Sequence, residues 1–228
     1  MTIVVATRNP DKVREIEAIL RGLDVSLVSL ERFGDLPPVV EDGRTVEENA
    51  LKKARAVRDA TGTCALADDT GLEVDALGGA PGVHSARYAG EQGDYEANNR
   101  KLLASLSDVP DGERSARFRC VMALALTDDV GERVFERMIE RKDEHAVSSA
   151  GSRRVDALVA EGLLEGRITR EKRGSSGFGY DPVFEVPDEE KTLAEMGAEA
   201  KNRISHRYRA LVEIRELLLR WGIAGRTG

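Results

Sequence analysis

Short apolar runs alternate with longer stretches of helical rhythm along this chain. Ile3-Val4-Val5-Ala6 reads as a buried strand, and Asn9-Pro10 then set a helix start, because Asn caps free N–H groups and Pro fits the first helical position. Val13, Ile16, Ile19 and Leu20 fall on one face of that helix, and Gly22 ends it. A second strand is predicted over 25–30 and a loop over 36–43, where Pro37-Pro38 and Asp42-Gly43 interrupt the pattern. The next helix spans 46–61: Thr45 and Glu48 form a capping box, Val46, Ala50, Ala54 and Val57 make the buried stripe, and Gly62 is the stop. A short strand over 63–67 runs into Asp68-Asp69-Thr70-Gly71, an acidic strand end, with an acidic turn capping Thr70 and Gly71 as the blander alternative.

The glycine-rich stretch 78–90 reads as mostly loop. Asp94 then caps a helix expected to turn Tyr95, Leu102, Leu103 and Leu106 toward the core. Phe118, Cys120, Met122, Leu124 and Leu126 alternate with smaller or charged residues, the mark of a long half-buried strand, with a hairpin partner expected at 155–159 or 165–169. Residues 132–154 are crowded with Arg and Glu and are read as an exposed excursion, a long hairpin or partly mobile loop. A last helix is predicted over 205–221, with Ser205 as its cap, Tyr208, Leu211, Val212, Arg215, Leu218 and Leu219 along one side, and Gly222 at its end. The βαβ-like opening and the mixture of elements predict an α/β fold.

Length and composition narrow the function. A chain of 228 residues suffices for one α/β domain or two small lobes sharing a sheet, and one functional unit over 1–228 is expected. With 41% hydrophobic residues a packed core is available, so disorder is not expected. A net charge of −7 argues against a broad nucleic-acid surface, which needs a basic patch, but not against a single nucleotide. Cys64 and Cys120 sit in apolar runs and read as buried free thiols. The first apolar run is too short for a signal peptide and is broken by Arg8, and no segment reaches transmembrane length, so a cytoplasmic protein without membrane partners is expected. His84, His145 and His206 are far apart and no HExxH motif is present, so any metal is expected on carboxylate oxygens, which suits magnesium.

Several segments carry chemistry-bearing residues. Thr7 to Lys12 lies at a helix start, where free N–H groups and the helix dipole attract anions; taken alone, Lys12 reads equally well as a surface lysine. Asp68 and Asp69 are adjacent, so on an extended chain they point to opposite faces and do different jobs. Glu41 is placed to add a carboxylate, and of Lys52 and Lys53, about 100° apart on the helix, one can face a cleft while the other meets solvent. The run Gly174-Ser175-Ser176-Gly177-Phe178-Gly179-Tyr180-Asp181-Pro182 combines close-approach glycines with a flat ring, a combination suited to a base. Lys201 and Ser205-His206-Arg207 add cations before and at the last helix.

In this order, ATRNPDK, VEDGRTVEENALKKA, ALADDTGLEVDALGGAPGVHSARYAG, FRCVMALA, GFGYDPVF and AKNRISHR resemble the inosine triphosphate pyrophosphatase family, the dITP/XTP pyrophosphatases. The resemblance implies an elongated mixed sheet flanked by helices, with two lobes around a substrate cleft, a homodimer and a Mg2+ requirement. It implies hydrolysis of ITP, dITP or XTP to the nucleoside monophosphate and pyrophosphate, which cleanses the nucleotide pool. By the same resemblance Thr7, Arg8, Asn9 and Lys12 belong to the triphosphate loop, and Lys53 faces the phosphates. Glu41 and Asp69 are metal-associated, Asp69 is also the proton acceptor, and Thr70 contacts substrate. Phe178, Gly179, Tyr180 and Asp181 form the nucleoside turn, and Lys201, His206 and Arg207 complete the contacts. The 132–154 stretch departs from the family's shorter passage. The competing readings are a Maf-type pyrophosphatase acting on other nucleotides and a non-catalytic nucleotide sensor.

Overall fold

The computed structural model describes residues 1–141 and 154–227. Its centre is an eight-stranded mixed sheet whose strands lie in the order 26–29, 2–5, 65–74, 115–125, 157–168, 184–186 and 191–192, with 81–82 paired to 65–74. The chain enters through β1 (Thr2–Val5), α1 (Pro10–Leu20) and β2 (Ser26–Ser29), and β1 runs parallel to both β2 and β3. α2 (Val46–Thr61) follows, with the Thr45 hydroxyl accepting from the Glu48 N–H and Gly62 in the left-handed conformation at its end. It buries Val46, Ala50, Ala54 and Val57, the stripe the sequence predicts.

β3 (Ala65–Val74) departs from the expected short strand. It continues straight through Asp68-Asp69-Thr70-Gly71, antiparallel to β5 (Ser115–Ala125), with Asp68 opposite Met122 and Asp69 opposite Val121. The acidic pair therefore lies inside a central strand and not in a turn. Ladder pairing along ten residues outweighs the low strand propensity of Asp and Gly. β4 (Pro81–Gly82) and α3 (Tyr95–Ser105) precede β5.

α4 (Asp128–Glu140) corrects the reading of an excursion beginning at 132. Its Val130, Val134 and Met138, one turn apart, pack into the main core among exposed charges. The rest of that stretch, 142–153, lies outside the described residues. β6 (Ala157–Ile168) is one strand that absorbs most of both predicted hairpin partners and pairs with β5 along its length. β7 (Phe184–Val186) and β8 (Lys191–Thr192) extend the sheet. α5 (Ala198–Ile204), not foreseen from the sequence, leads into α6 (His206–Arg220), where the Ser205 hydroxyl accepts from the Tyr208 N–H.

α6 buries His206, Arg207, Ala210, Leu211, Ile214 and Leu218, so its inner face is turned from the predicted one and Tyr208 is exposed. It packs closely on β6 because Gly162 has no side chain: a Cβ there would sit 2.0 Å from the His206 carbonyl oxygen. Two main cores result. One joins α1, α4 and α6 to the sheet around Leu66, Met122 and Leu124. The other surrounds Leu72, Phe118, Phe184 and Leu102. Among the described residues no helix is long and apolar enough to cross a membrane.

Candidate active site

All the predicted site residues except Thr7 and Arg8 line one cavity of about 280 Å³. Thr7 and Arg8 line an adjoining cavity of about 310 Å³, which shares Lys12, Glu41 and Lys53 with the first. Residues spread from Asn9 to Arg207 thus meet because β1, β3 and the start of α6 lie side by side. A larger cavity of about 520 Å³ lies between α1, α5 and α6. It contains none of the predicted site residues, so its size does not make it the candidate site.

The pleat of β3 sends its two carboxylates into separate networks. Asp68 is buried; its Oδ2 accepts from Lys12 Nζ at 2.8 Å and lies 3.4 Å from Arg207 Nε. Arg207 Nη1 also reaches Glu15 at 3.2 Å. Burial acts to raise the Asp68 pKa, but Lys12 and Arg207 override it and hold the carboxyl far below the usual range. Asp68 thereby ties the first turn of α1 to the first turn of α6.

Asp69 faces the cavity. Its Oδ1 lies 3.1 Å from Lys53 Nζ, and its Oδ2 accepts from Asn49 Nδ2 at 3.2 Å. Lys53 Nζ also lies 3.4 Å from Glu41 Oε2. Asn49 is buried and accepts from the Gly43 N–H at 2.8 Å, which anchors the loop that carries Glu41. Sequence reasoning missed Asn49; its place one position before the buried Ala50 was the available signal. The pKa of Asp69 is raised, chiefly by burial, with the Glu41 charge adding to it and Lys53 opposing it. That of Lys53 is also raised: burial disfavours its charge, but Asp69, Asp68 and Glu41 outweigh burial. Both partners move upward because the ammonium gains from three carboxylates, whereas Asp69 sets one lysine against its own desolvation. Lys52 turns outward to Asp42.

At the other end, the glycine turn is shaped by Asp181. Its Oδ2 accepts from the Phe178 N–H at 2.9 Å and from Lys201 Nζ at 2.5 Å. Gly177 sits at φ 80°, and a Cβ there would lie 2.0 Å from that same oxygen, so this position requires glycine. Phe178 remains 36% exposed, with Lys201 Nζ 5.0 Å over its ring. Gly179 and Tyr180 are held from behind: Asn99 Nδ2 donates to the Gly179 carbonyl at 2.9 Å, and the Tyr180 hydroxyl to the Ser85 carbonyl at 2.8 Å. Asn99 and Ser85 were not singled out in the sequence. His206 stacks on Phe118 at 4.8 Å, and its Nδ1 has no hydrogen-bond partner among the described residues. Burial, with Arg207 and Lys201, pushes the imidazole well below its usual pKa, so it is neutral.

Among the described residues no group of three or more His, Cys, Asp or Glu side chains converges as a ready-made metal cage. Glu41 and Asp69 nevertheless fit a hard divalent cation. Both face a shared lysine at the edge of an open cavity, and both offer the hard oxygen donors that such a cation takes. Magnesium typically takes one or two carboxylates and draws its other ligands from phosphate and water.

The chain is similar along nearly its whole length to known proteins. A model described as the Ham1 family matches residues 3–217. A dITP/XTP pyrophosphatase of Geobacter sulfurreducens is 50% identical over 95% of this chain and 96% of its own length. Among solved structures, a HAM1 protein from Coxiella burnetii is 38% identical, covers 96% of this chain and 98% of its own, and superposes with a TM-score of 0.80. A nucleoside-triphosphatase, or dITP/XTP pyrophosphatase, from Mycobacterium abscessus is 40% identical, covers 94% and 98%, and gives a TM-score of 0.72.

Proposed function

The chain belongs to the Ham1 family, and from that membership and its cleft we infer that it is a nucleoside-triphosphate pyrophosphatase. Its substrates are deaminated purine nucleotides, ITP, dITP and XTP, hydrolysed to the nucleoside monophosphate and pyrophosphate. The observation that carries this reading is one cavity holding Lys12, the Glu41–Lys53–Asp69 cluster and the Phe178 turn together. The adjoining cavity by Thr7 and Arg8 continues from Lys12 and Lys53 and gives the phosphate tail a place to lie.

Glu41 and Asp69 would hold Mg2+, which when bound offsets phosphate charge and makes a water molecule more acidic. Asp69 takes the proton from the attacking water. The water oxygen bonds to the α-phosphorus, the α–β bridging bond breaks, and pyrophosphate departs with the electron pair. Lys12 and Lys53 stabilise the negative charge gathered on that leaving group. Asp68 keeps Lys12 and Arg207 in place.

Base choice follows from hydrogen-bond polarity. Phe178 offers a stacking face, and the backbone at Phe178–Asp181 or the Arg207 guanidinium offers donors to the C6 oxygen of hypoxanthine or xanthine. Adenine presents an amino donor instead, and an unmatched buried donor costs roughly 1–3 kcal/mol. Rejecting guanine requires a second contact or clash at C2. Steady-state kinetics with ITP, XTP, GTP and ATP, with and without magnesium, test the reading. ITP and XTP should exceed ATP in kcat/KM by about tenfold or more; equal efficiency on all four would remove it.

The family resemblance supports a homodimer, which sedimentation would check. The buried thiols of Cys64 and Cys120 suit a reducing compartment such as the cytoplasm. The sheet shared by both main cores supports one functional unit across the chain. A nucleotide sensor would have no use for Asp69 half-buried beside Lys53 and Glu41.

A further inference from the structure

The mouth of the cleft carries a second aromatic residue that sequence periodicity assigned to the core. Tyr95, the first residue of α3, is 44% exposed and lines the cavity. Its ring centroid stands 6.2 Å from that of Phe178, at 41°. Core packing does not account for this side chain, because α3 buries Asn98, Asn99 and Leu102 instead.

The position of Tyr95 is fixed from behind. The Asp94 carboxylate accepts from the Ala97 N–H and starts the helix. Asn98 accepts from the Ala89 N–H at 2.6 Å, and Asn99 donates to the Gly179 carbonyl at 2.9 Å. Residues four apart share a helix face, so the turn before Asn99 carries Tyr95 to the same side. Asn99 grips the nucleoside turn at Gly179, and Tyr95 meets its neighbour Phe178. The mouth is thus edged by two tilted rings within the range of favourable aromatic contact. Both leave apolar surface facing water, where a flat ligand would cover it.

We propose that Tyr95 is a second aromatic contact for the purine and helps to determine specificity at the open side of the cleft. The proposal rests on the reading of this cavity as a purine nucleotide site. Phe178 takes the face of the base, and Tyr95 meets it from across the mouth. A purine is long enough to reach both rings, whereas a pyrimidine covers less of the pair. Tyr95 meets the ring of Phe178 in the glycine turn, so it acts on base affinity and not on bond cleavage.

The test is Tyr95→Ala beside Tyr95→Phe, read by kinetics, binding and melting. Tyr95→Ala should raise KM for ITP by roughly two- to tenfold, the usual worth of one aromatic contact, with kcat little changed. It should lower the preference for ITP over UTP by a similar factor. Tyr95→Phe should restore both, and the melting temperatures should agree because the side chain is exposed. Inhibition by inorganic tripolyphosphate, which has no base, should be the same in all three proteins. An unchanged KM in Tyr95→Ala overturns the proposal. So does equal weakening of tripolyphosphate, or a Tyr95→Phe protein as impaired as the alanine variant. Equilibrium dialysis with inosine monophosphate reads the same contact without turnover. A wild-type protein that binds this monophosphate but leaves ITP intact would refute the reaction, and Tyr95 would still stand or fall on its binding ratio to Tyr95→Ala.

Discussion

Asp68 and Asp69 are neighbours in sequence and strangers in environment. Asp68 lies on the face of β3 toward α1 and α6, where two cations hold its charge firmly. Asp69 lies on the face toward α2, where burial and Glu41 raise its proton affinity against a single lysine. One alternation of a strand separates a carboxylate held charged by two cations from one whose proton affinity is raised. The difference shows that local sequence chemistry, two aspartates in a row, does not decide role; the cations supplied from other elements do.

The comparison is broken most severely by Asp69→Asn. It should cut pyrophosphate release from ITP by about 10²–10⁴-fold, the range for loss of a general base, with the fold retained. It should also leave the protein as stable as wild type or more so at neutral pH. The sign follows from linkage. A carboxyl whose folded-state pKa is raised favours folding below its unfolded value, near 3.9, and that contribution is lost as pH rises through the folded value. Near pH 7 the charged Asp69 weighs against the fold, and the amide removes that burden. Melting at pH 7 and at pH 3 should show the gain only at the higher pH.

Asp68→Asn should do the reverse, costing about 3 kcal/mol or more because Arg207 and Lys12 lose a buried anion. The depressed pKa of Asp68 means that its contribution is present above the unfolded value, near 3.9, and lost as pH falls toward the folded one. Urea unfolding of the variant and wild type should therefore converge in acid. Lys53→Met comes next, lowering kcat by roughly a hundredfold, as removal of one charge-stabilising donor does. It should do so while raising the Asp69 pKa further, because Lys53 opposes that rise, and a shift of the acid limb of the pH–rate profile would report it. Asn49→Ala is the mildest, with a loss of about tenfold in kcat/KM from one hydrogen bond to a charged group and a slackened Glu41 loop.

Much of this was legible in the sequence, and the failures share physical causes. α2 was readable to its caps because capping box, apolar stripe and terminal glycine agreed. β3 was cut short because Asp68-Asp69-Thr70-Gly71 resembles a turn to any local reading; its pairing with β5 and the cations of Lys12, Arg207 and Lys53 come from distant segments. β6 was read as one of two short alternatives, 155–159 or 165–169, because Glu161-Gly162 breaks the pattern between them, yet Gly162 is the residue that lets α6 approach. α5 begins without a side-chain cap and left no signal. Most of the residues that line the two adjoining cavities and sit in family-like motifs were named from the sequence. Asn49, Asn99 and Tyr95 were not, because their value lies in what they touch across the cleft: Asp69, Gly179 and Phe178.

The most direct test of the whole account is hydrolysis of ITP in ¹⁸O-labelled water with magnesium, followed by mass analysis of both products. Attack at the α-phosphorus predicts the label in inosine monophosphate, with one unlabelled pyrophosphate formed per turnover. Label in the pyrophosphate, or orthophosphate as the main product, would contradict it.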